Sequence, residues 1–274
     1  MTTLAEYRTS RELLHNLTLR ELRAKYKRSV LGWTWSLLNP LATMLIFTLV
    51  FRFFLKIEPP RSQATELKSF ALFLLCGLLP WNFFVNGVTA SMGSLVGNAN
   101  LIQKTYFPRE LLVIAQVNSW IVSLLIEMAL LAVALVVFGN MVLLWLPVVI
   151  LLMVLLAMFV TGLALAFSVL NVYFRDVQHF VGIMFQVWFY LTPIVYPLSY
   201  VPVRAEIFGK DLPVRSLFHL NPMVDFVEAF RAILYDLQAP SVRILAYLVV
   251  VSVVSLVFGL RLFARLEGKL AEEL

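Results

Sequence analysis

Residues 20–40 read RELRAKYKRSVLGWTWSLLNP, and this stretch decides the fold. A basic segment runs straight into an apolar run flanked by tryptophan. Seven Lys/Arg fall between Arg8 and Arg28, Trp33 and Trp35 follow, and an apolar stretch continues from Leu37 to Phe54. Lys and Arg resist translocation and mark the cytoplasmic side of a membrane, while Trp favours the headgroup level. The stretch therefore predicts a membrane helix whose basic end stays in the cytoplasm.

The rest of the composition agrees. Of 274 residues, 61% are hydrophobic and 14% charged, whereas soluble domains carry about 25% charged residues. Such a chain needs the bilayer as its solvent. The net charge is +6. Its Lys/Arg cluster near predicted cytoplasmic ends, which points to topology and anionic-lipid contact, worth about 1 kcal/mol per residue, rather than to nucleic acid. Cys76 is the one cysteine and lies in an apolar run. It has no internal disulfide partner and reads as a structural thiol. No cleavable signal peptide is expected, because the first thirty residues are charged.

A spanning helix needs about 20 mostly apolar residues. Six stretches qualify: 34–55, 69–95, 111–138, 143–170, 178–197 and 242–262. The predicted fold is an all-α polytopic membrane protein with six transmembrane helices. The second span holds Pro80, Asn82 and Asn86, so it is expected to be kinked and partly interior-facing. With the N-terminus inside, the Lys/Arg split is 13 inside and 9 outside. Both termini are then cytoplasmic. The division is a cytoplasmic amphipathic segment at 1–32, one membrane domain at 33–266 and a cytoplasmic tail at 267–274.

Arg20, Arg23 and Lys27 are spaced three and four apart and share a helical face, with Arg28 extending the basic run. Leu19, Leu22 and Tyr26 share another face. A basic amphipathic helix of this kind lies in the interface plane. It serves either as a plain membrane anchor or as a platform for a partner or a lipid headgroup. The sequon Asn16-Leu17-Thr18 is discounted on the cytoplasmic side. Residues 98–110 read NANLIQKTYFPRE. Leu101, Ile102, Tyr106 and Phe107 with Lys104 and Arg109 have the make-up of an interface core and rim, or of a knob dipping into lipid. A short helix ending near Tyr106 is expected, because Pro108 follows.

The fifth span is rich in aromatics. Phe185, Phe189 and Tyr196 recur near one face. They either face lipid or line a pore on which sugar rings stack, by analogy with sequence-tolerant stacking of bases. Pro193 and Pro197 break the helix. Asn221 then caps a helix with Pro222 at its first position, predicted over 222–238 with Phe226, Phe230, Ile233 and Leu237 as its apolar stripe. This helix is too short to span. It should lie at the outer surface or dip back in, as a gate. Glu127 sits inside the third span, where an acid costs roughly 2.5–3.5 kcal/mol and is functional by default. The structural alternative is a hydrogen bond to a neighbour such as Ser123.

The sequence has no phosphate-binding loop, no H-E-x-x-H, no Cys/His cluster and no nucleophile elbow. No metal site is expected, and any ATPase must be another chain. The collinear stretches RELRAKYKRSVLGWTWSLLNP (20–40), LLPWNFF (78–84), LIQKTYFPRELL (101–112), NVYFRDVQHF (171–180), LTPIVYP (191–197) and NPMVDFVEAFRAILY (221–235) resemble ABC-2-type permeases of the polysaccharide-export branch. That branch includes O-antigen, capsule and teichoic-acid exporter subunits.

The resemblance implies a plasma-membrane homodimer bound to two ATPase subunits, which would hold ATP and Mg2+. The cargo would be a lipid-linked glycan, O-antigen-like or teichoic acid. Residues 101–107 would be the coupling helix, Arg20–Arg28 part of the interface helix, and residues 198–240 the external gate. The first and fifth spans would line the channel. Two other readings stand beside it. One is an intramembrane glycosyl- or acyltransferase using Glu127 or the Asp225/Glu228 pair. The other is a drug or small-molecule exporter on the same scaffold.

Overall fold

The structure, a computed structural model, describes residues 4–27, 32–54, 56, 62, 67–105, 107–207 and 210–274. Helix α1 (Leu4–Tyr26) precedes α2 (Trp35–Thr48), which continues as a π-helical turn over Leu49–Phe54. Then come α3 (Phe70–Met92), the short α4 (Ser94–Gly97) and α5 (Ala99–Lys104), α6 (Glu110–Val137), α7 (Leu146–Tyr173) and α8 (Val177–Tyr190). An antiparallel hairpin, β1 (Ala205–Ile207) with β2 (Lys210–Leu212), pairs Glu206 with Asp211. Helices α9 (Val214–Phe218), α10 (Pro222–Leu234), α11 (Val242–Leu266) and α12 (Leu270–Glu273) complete the chain.

Among the described residues, α3, α6, α7 with its leading turn, and α11 with its trailing turn are long and apolar enough to cross a membrane. Leu38–Phe54 is a shorter apolar helix. The chain is thus a mostly helical multi-pass membrane protein. α3 is the hub, packing on α2, α6, α7, α8 and α10. Lipid tails are as apolar as Leu, so helices in a bilayer associate by close packing of small residues and by polar contacts. α7 and α11 illustrate this, meeting at Gly162, Ser255 and Gly259. The outward faces of α6, α7 and α11 expose Leu130, Val133, Val154, Val254 and Phe258.

Two expectations need correction. The fifth span does not run to 197: α8 ends at Tyr190 and the chain turns through residues 191–196. Leu191, Ile194 and Val195 keep that stretch apolar, so hydropathy alone cannot see the turn. The helix at 222–238 stops at Leu234, with Leu237 beyond it in a left-handed conformation (φ 52°). Of the two placements expected for it, the surface and a dip back inward, burial fits the second: both faces of α10 are buried, and it packs on α3, α7 and α11. Helix α1 packs along α6. Near the C-terminus Leu270 is buried and α12 packs on α7 and α5.

Candidate functional site

The α8–α10 junction brings together residues that the sequence separates by about thirty positions. Asn221 caps α10, its Oδ1 accepting from Met223 N at 3.0 Å. The same oxygen accepts from Trp188 Nε1 on α8 at 2.6 Å, and Asn221 Nδ2 donates to Thr192 Oγ1 at 2.9 Å. One amide thus ties the end of α8 to the start of α10. Further along α10, the buried Arg231 guanidinium donates to the carbonyls of Pro193 and Ile194. It also lies 3.8 Å from the Phe73 ring centroid and 3.5 Å from Glu228. These carbonyls are freed because the helix has stopped, and an arginine fork suits two acceptors side by side. Asp225, one of the acids that the transferase reading would use, is buried and accepts from His219 Nδ1 at 2.6 Å. Burial pushes its carboxyl above the ordinary range, and His219 opposes that shift.

Pro193, Asn221 and Pro222 therefore belong to one junction, Pro197 follows the turn just before residues 198–200, and Phe226 and Phe230 are fully buried on α10. Phe185 is buried, 5.0 Å from Phe84 and 6.1 Å from Trp188, ring to ring. Phe189 is half-buried between Trp81 and Phe47. Tyr196 donates its hydroxyl to the Tyr190 carbonyl at 3.0 Å.

A second cluster forms where α1 meets the α4–α5 loop. Arg20 donates to Asn98 Oδ1 at 2.8 Å and to Glu21 at 2.6 Å. Arg20, Arg23 and Lys27 share a groove with Asn16 and Leu19, as their spacing predicts. Arg28 and Tyr106 lie outside the described residues. Ile102 is buried, Leu101 and Phe107 are half-buried, and Lys104 is exposed. α5 ends at Lys104, two residues short of the expected end. Arg109 donates to the Glu267 carbonyl at 2.5 Å, tying the loop to the C-terminal turn.

A third cluster surrounds Glu127, which is buried on α6. One turn earlier, Ser123 Oγ accepts from Lys25 Nζ at 2.8 Å, and the same ammonium sits 3.0 Å from the Trp120 ring centroid. Burial pulls Lys25 down to about 8, against the charge of Glu127, which acts to raise it. Lys25, Trp120 and Arg231 were not singled out from sequence. For Arg231 a signal exists: it is a cation inside an otherwise apolar helical stripe. Lys25 carries no comparable signal, being one of seven basic residues in its segment.

Comparisons with known proteins agree along nearly the whole length. Residues 12–235 match the family model described as ABC-2 type transporter. The O-antigen export system permease protein RfbA of Myxococcus xanthus is 31% identical over 272 residues, covering 96% of this chain and 96% of that protein. RfbA of Klebsiella pneumoniae is 28% identical, covering 95% and 94%. The polysialic acid transport protein KpsM of Escherichia coli is 27% identical, covering 90% of each.

Proposed function

This chain belongs to the ABC-2 type transporter family, and from that premise we propose that it is the membrane-spanning permease subunit of an ATP-driven exporter of lipid-linked cell-surface polysaccharide. The observation that carries the reading is the end-to-end similarity to O-antigen and polysialic acid permeases, in a chain without a phosphate loop. In this reading the protein is a homodimer in the inner membrane with both termini cytoplasmic. Two ATPase subunits hold ATP and Mg2+.

The groove lined by Arg20, Arg23 and Lys27 receives the anionic headgroup of the carrier. Closure of the ATPase pair reaches this chain at residues 98–110. The Arg20–Asn98 hydrogen bond passes that displacement to α1, and the α8–α10 junction is the gate. Proton transfer plays no part, so Glu127 is assigned a binding and packing role.

Deleting the gene should trap lipid-linked glycan on the cytoplasmic face, and wild-type protein should restore export. Substituting Tyr106 and Phe107 by Ala should leave the chain in the membrane but uncouple it from the ATPase subunit. Normal surface glycan in the deletion strain would sink the reading. Glycan that is never completed, rather than trapped, would favour a transferase instead.

A further inference from the structure

A pocket of about 240 Å³ with mixed polar and apolar walls opens among four helices, lined by Lys25 of α1, Trp35, Asn39 and Pro40 of α2, Asn82 and Asn86 of α3, and Trp120 and Glu127 of α6. We propose that this pocket binds one neutral, hydroxyl-rich sugar ring. The formal charges cancel, one ammonium against one carboxylate, so neither an anion nor a cation is favoured. A cationic ligand would meet the Lys25 ammonium, which already covers the Trp120 face. A wholly apolar ligand would bury three carboxamides without partners, at a cost of about 1–3 kcal/mol each.

The amides are what a polyol needs. The side chains of Asn39, Asn82 and Asn86 make no hydrogen bond among the described residues. Each offers two donors and an acceptor, which matches hydroxyls that both give and take. Trp35, 47% exposed, supplies an open indole beside them. An aromatic body next to polar groups is how tryptophan serves at binding surfaces. The volume falls below the roughly 300–1,000 Å³ typical for drug-sized ligands, so it suits a single ring. That the ring belongs to an exported glycan rests on the exporter reading; the pocket chemistry does not.

The test uses the complete transporter with its ATPase subunits in lipid nanodiscs. The probe is glycan from the source strain, cleaved from its lipid carrier so that no diphosphate or lipid contributes. Saturation-transfer NMR should detect ring protons bound to wild type. Asn82→Leu with Asn86→Leu should weaken binding tenfold or more, and Trp35→Leu should do the same while Trp35→Phe retains it. The thermal midpoint and size-exclusion profile of the asparagine double variant, compared with wild type, check that it has folded. Unchanged affinity in both the double variant and Trp35→Leu would overturn the pocket. So would absence of binding to a wild-type complex that exports glycan in cells, and in that case the exporter reading stands alone. Binding that obeys the pocket variants, in a strain whose deletion exports normally, would support the pocket and overturn the exporter reading.

Discussion

Gly162 on α7 and Gly259 on α11 meet backbone to backbone: a Cβ at position 259 would lie 2.1 Å from the Gly162 carbonyl oxygen. A Cβ at position 162 would in turn lie 2.2 Å from the Ser255 carbonyl oxygen. Neither obstacle is a flexible side-chain tip, so the helices themselves must part. Gly162→Ala or Gly259→Ala should cost about 1–3 kcal/mol, as overpacking does, and lower the thermal midpoint in detergent. Gly182→Ala, where nothing lies within 4 Å, should leave the midpoint unchanged or slightly raised.

Arg231 holds the carbonyls of Pro193 and Ile194 with two nitrogens. Arg231→Met would strand both acceptors, at about 1–3 kcal/mol for each. Arg231→Lys should recover only part of that, because an ammonium lacks the planar fork. Limited proteolysis within residues 191–201 reads the effect: cleavage should accelerate in the order wild type, Lys, Met. Equal rates would separate Arg231 from the integrity of the turn.

Asn221 serves both helices at once. Asn221→Ala removes the cap, worth about 0.5–2 kcal/mol, and also frees Trp188 and Thr192. Trp188→Phe removes only the indole donor. The two losses should not add in the double variant, because they share a hydrogen bond. Thermal midpoints of the two single variants and the double variant provide the check.

Arg20 and Asn98 form a contact between α1 and the α4–α5 loop at an exposed site, where such pairs contribute little to stability. Arg20→Ala and Asn98→Ala should therefore leave the thermal midpoint nearly unchanged. If the contact transmits motion, each should reduce export per ATP hydrolysed, and the double variant should lose no more than either single one. Additive loss would mean that the two residues act separately.

Lys25 links stability to pH. Its folded value is about 8 against an ordinary 10.5, chiefly through burial. Between those values the unfolded chain keeps a proton that the folded chain has released, so stability rises with pH across that window. Below pH 8 both states are charged and the full penalty of burial is felt. The thermal midpoint of wild type relative to Lys25→Met should climb from pH 8 to pH 10, and be flat below pH 7.

Much of the scaffold is legible in the sequence, for reasons that residues make plain. α3, α6, α7 and α11 are long, predominantly apolar runs, and their observed ends lie within four residues of the hydropathy limits. Asn221-Pro222 marks the start of α10 because capping chemistry is local. Its depth is not legible: Val224, Asp225 and Arg231 lie off the Phe226/Phe230 stripe and are buried too. That outcome is decided by α3 and α7, not by α10. The pocket around Lys25 is invisible for a related reason. Its walls come from four helices, and Lys25 reaches Ser123 across 98 positions of sequence. Asn82 and Asn86 marked α3 as interior-facing, but nothing local names what they face.

The shortness of α8 has a consequence for the membrane itself. Its 14 residues rise about 21 Å at 1.5 Å each, against a hydrocarbon layer of about 30 Å. On the exporter reading, with α8 as a spanning helix, close to a third of the insulation along that path is not helix. It is the turn at Thr192 and the carbonyls of Pro193 and Ile194, clasped by Asn221 and Arg231. A hydrated solute passing there would meet amides, a hydroxyl and a guanidinium where a full-length helix would present only hydrocarbon. In dielectric terms that reading gives the subunit a thin spot, closed by a few hydrogen bonds rather than by the thickness of the bilayer.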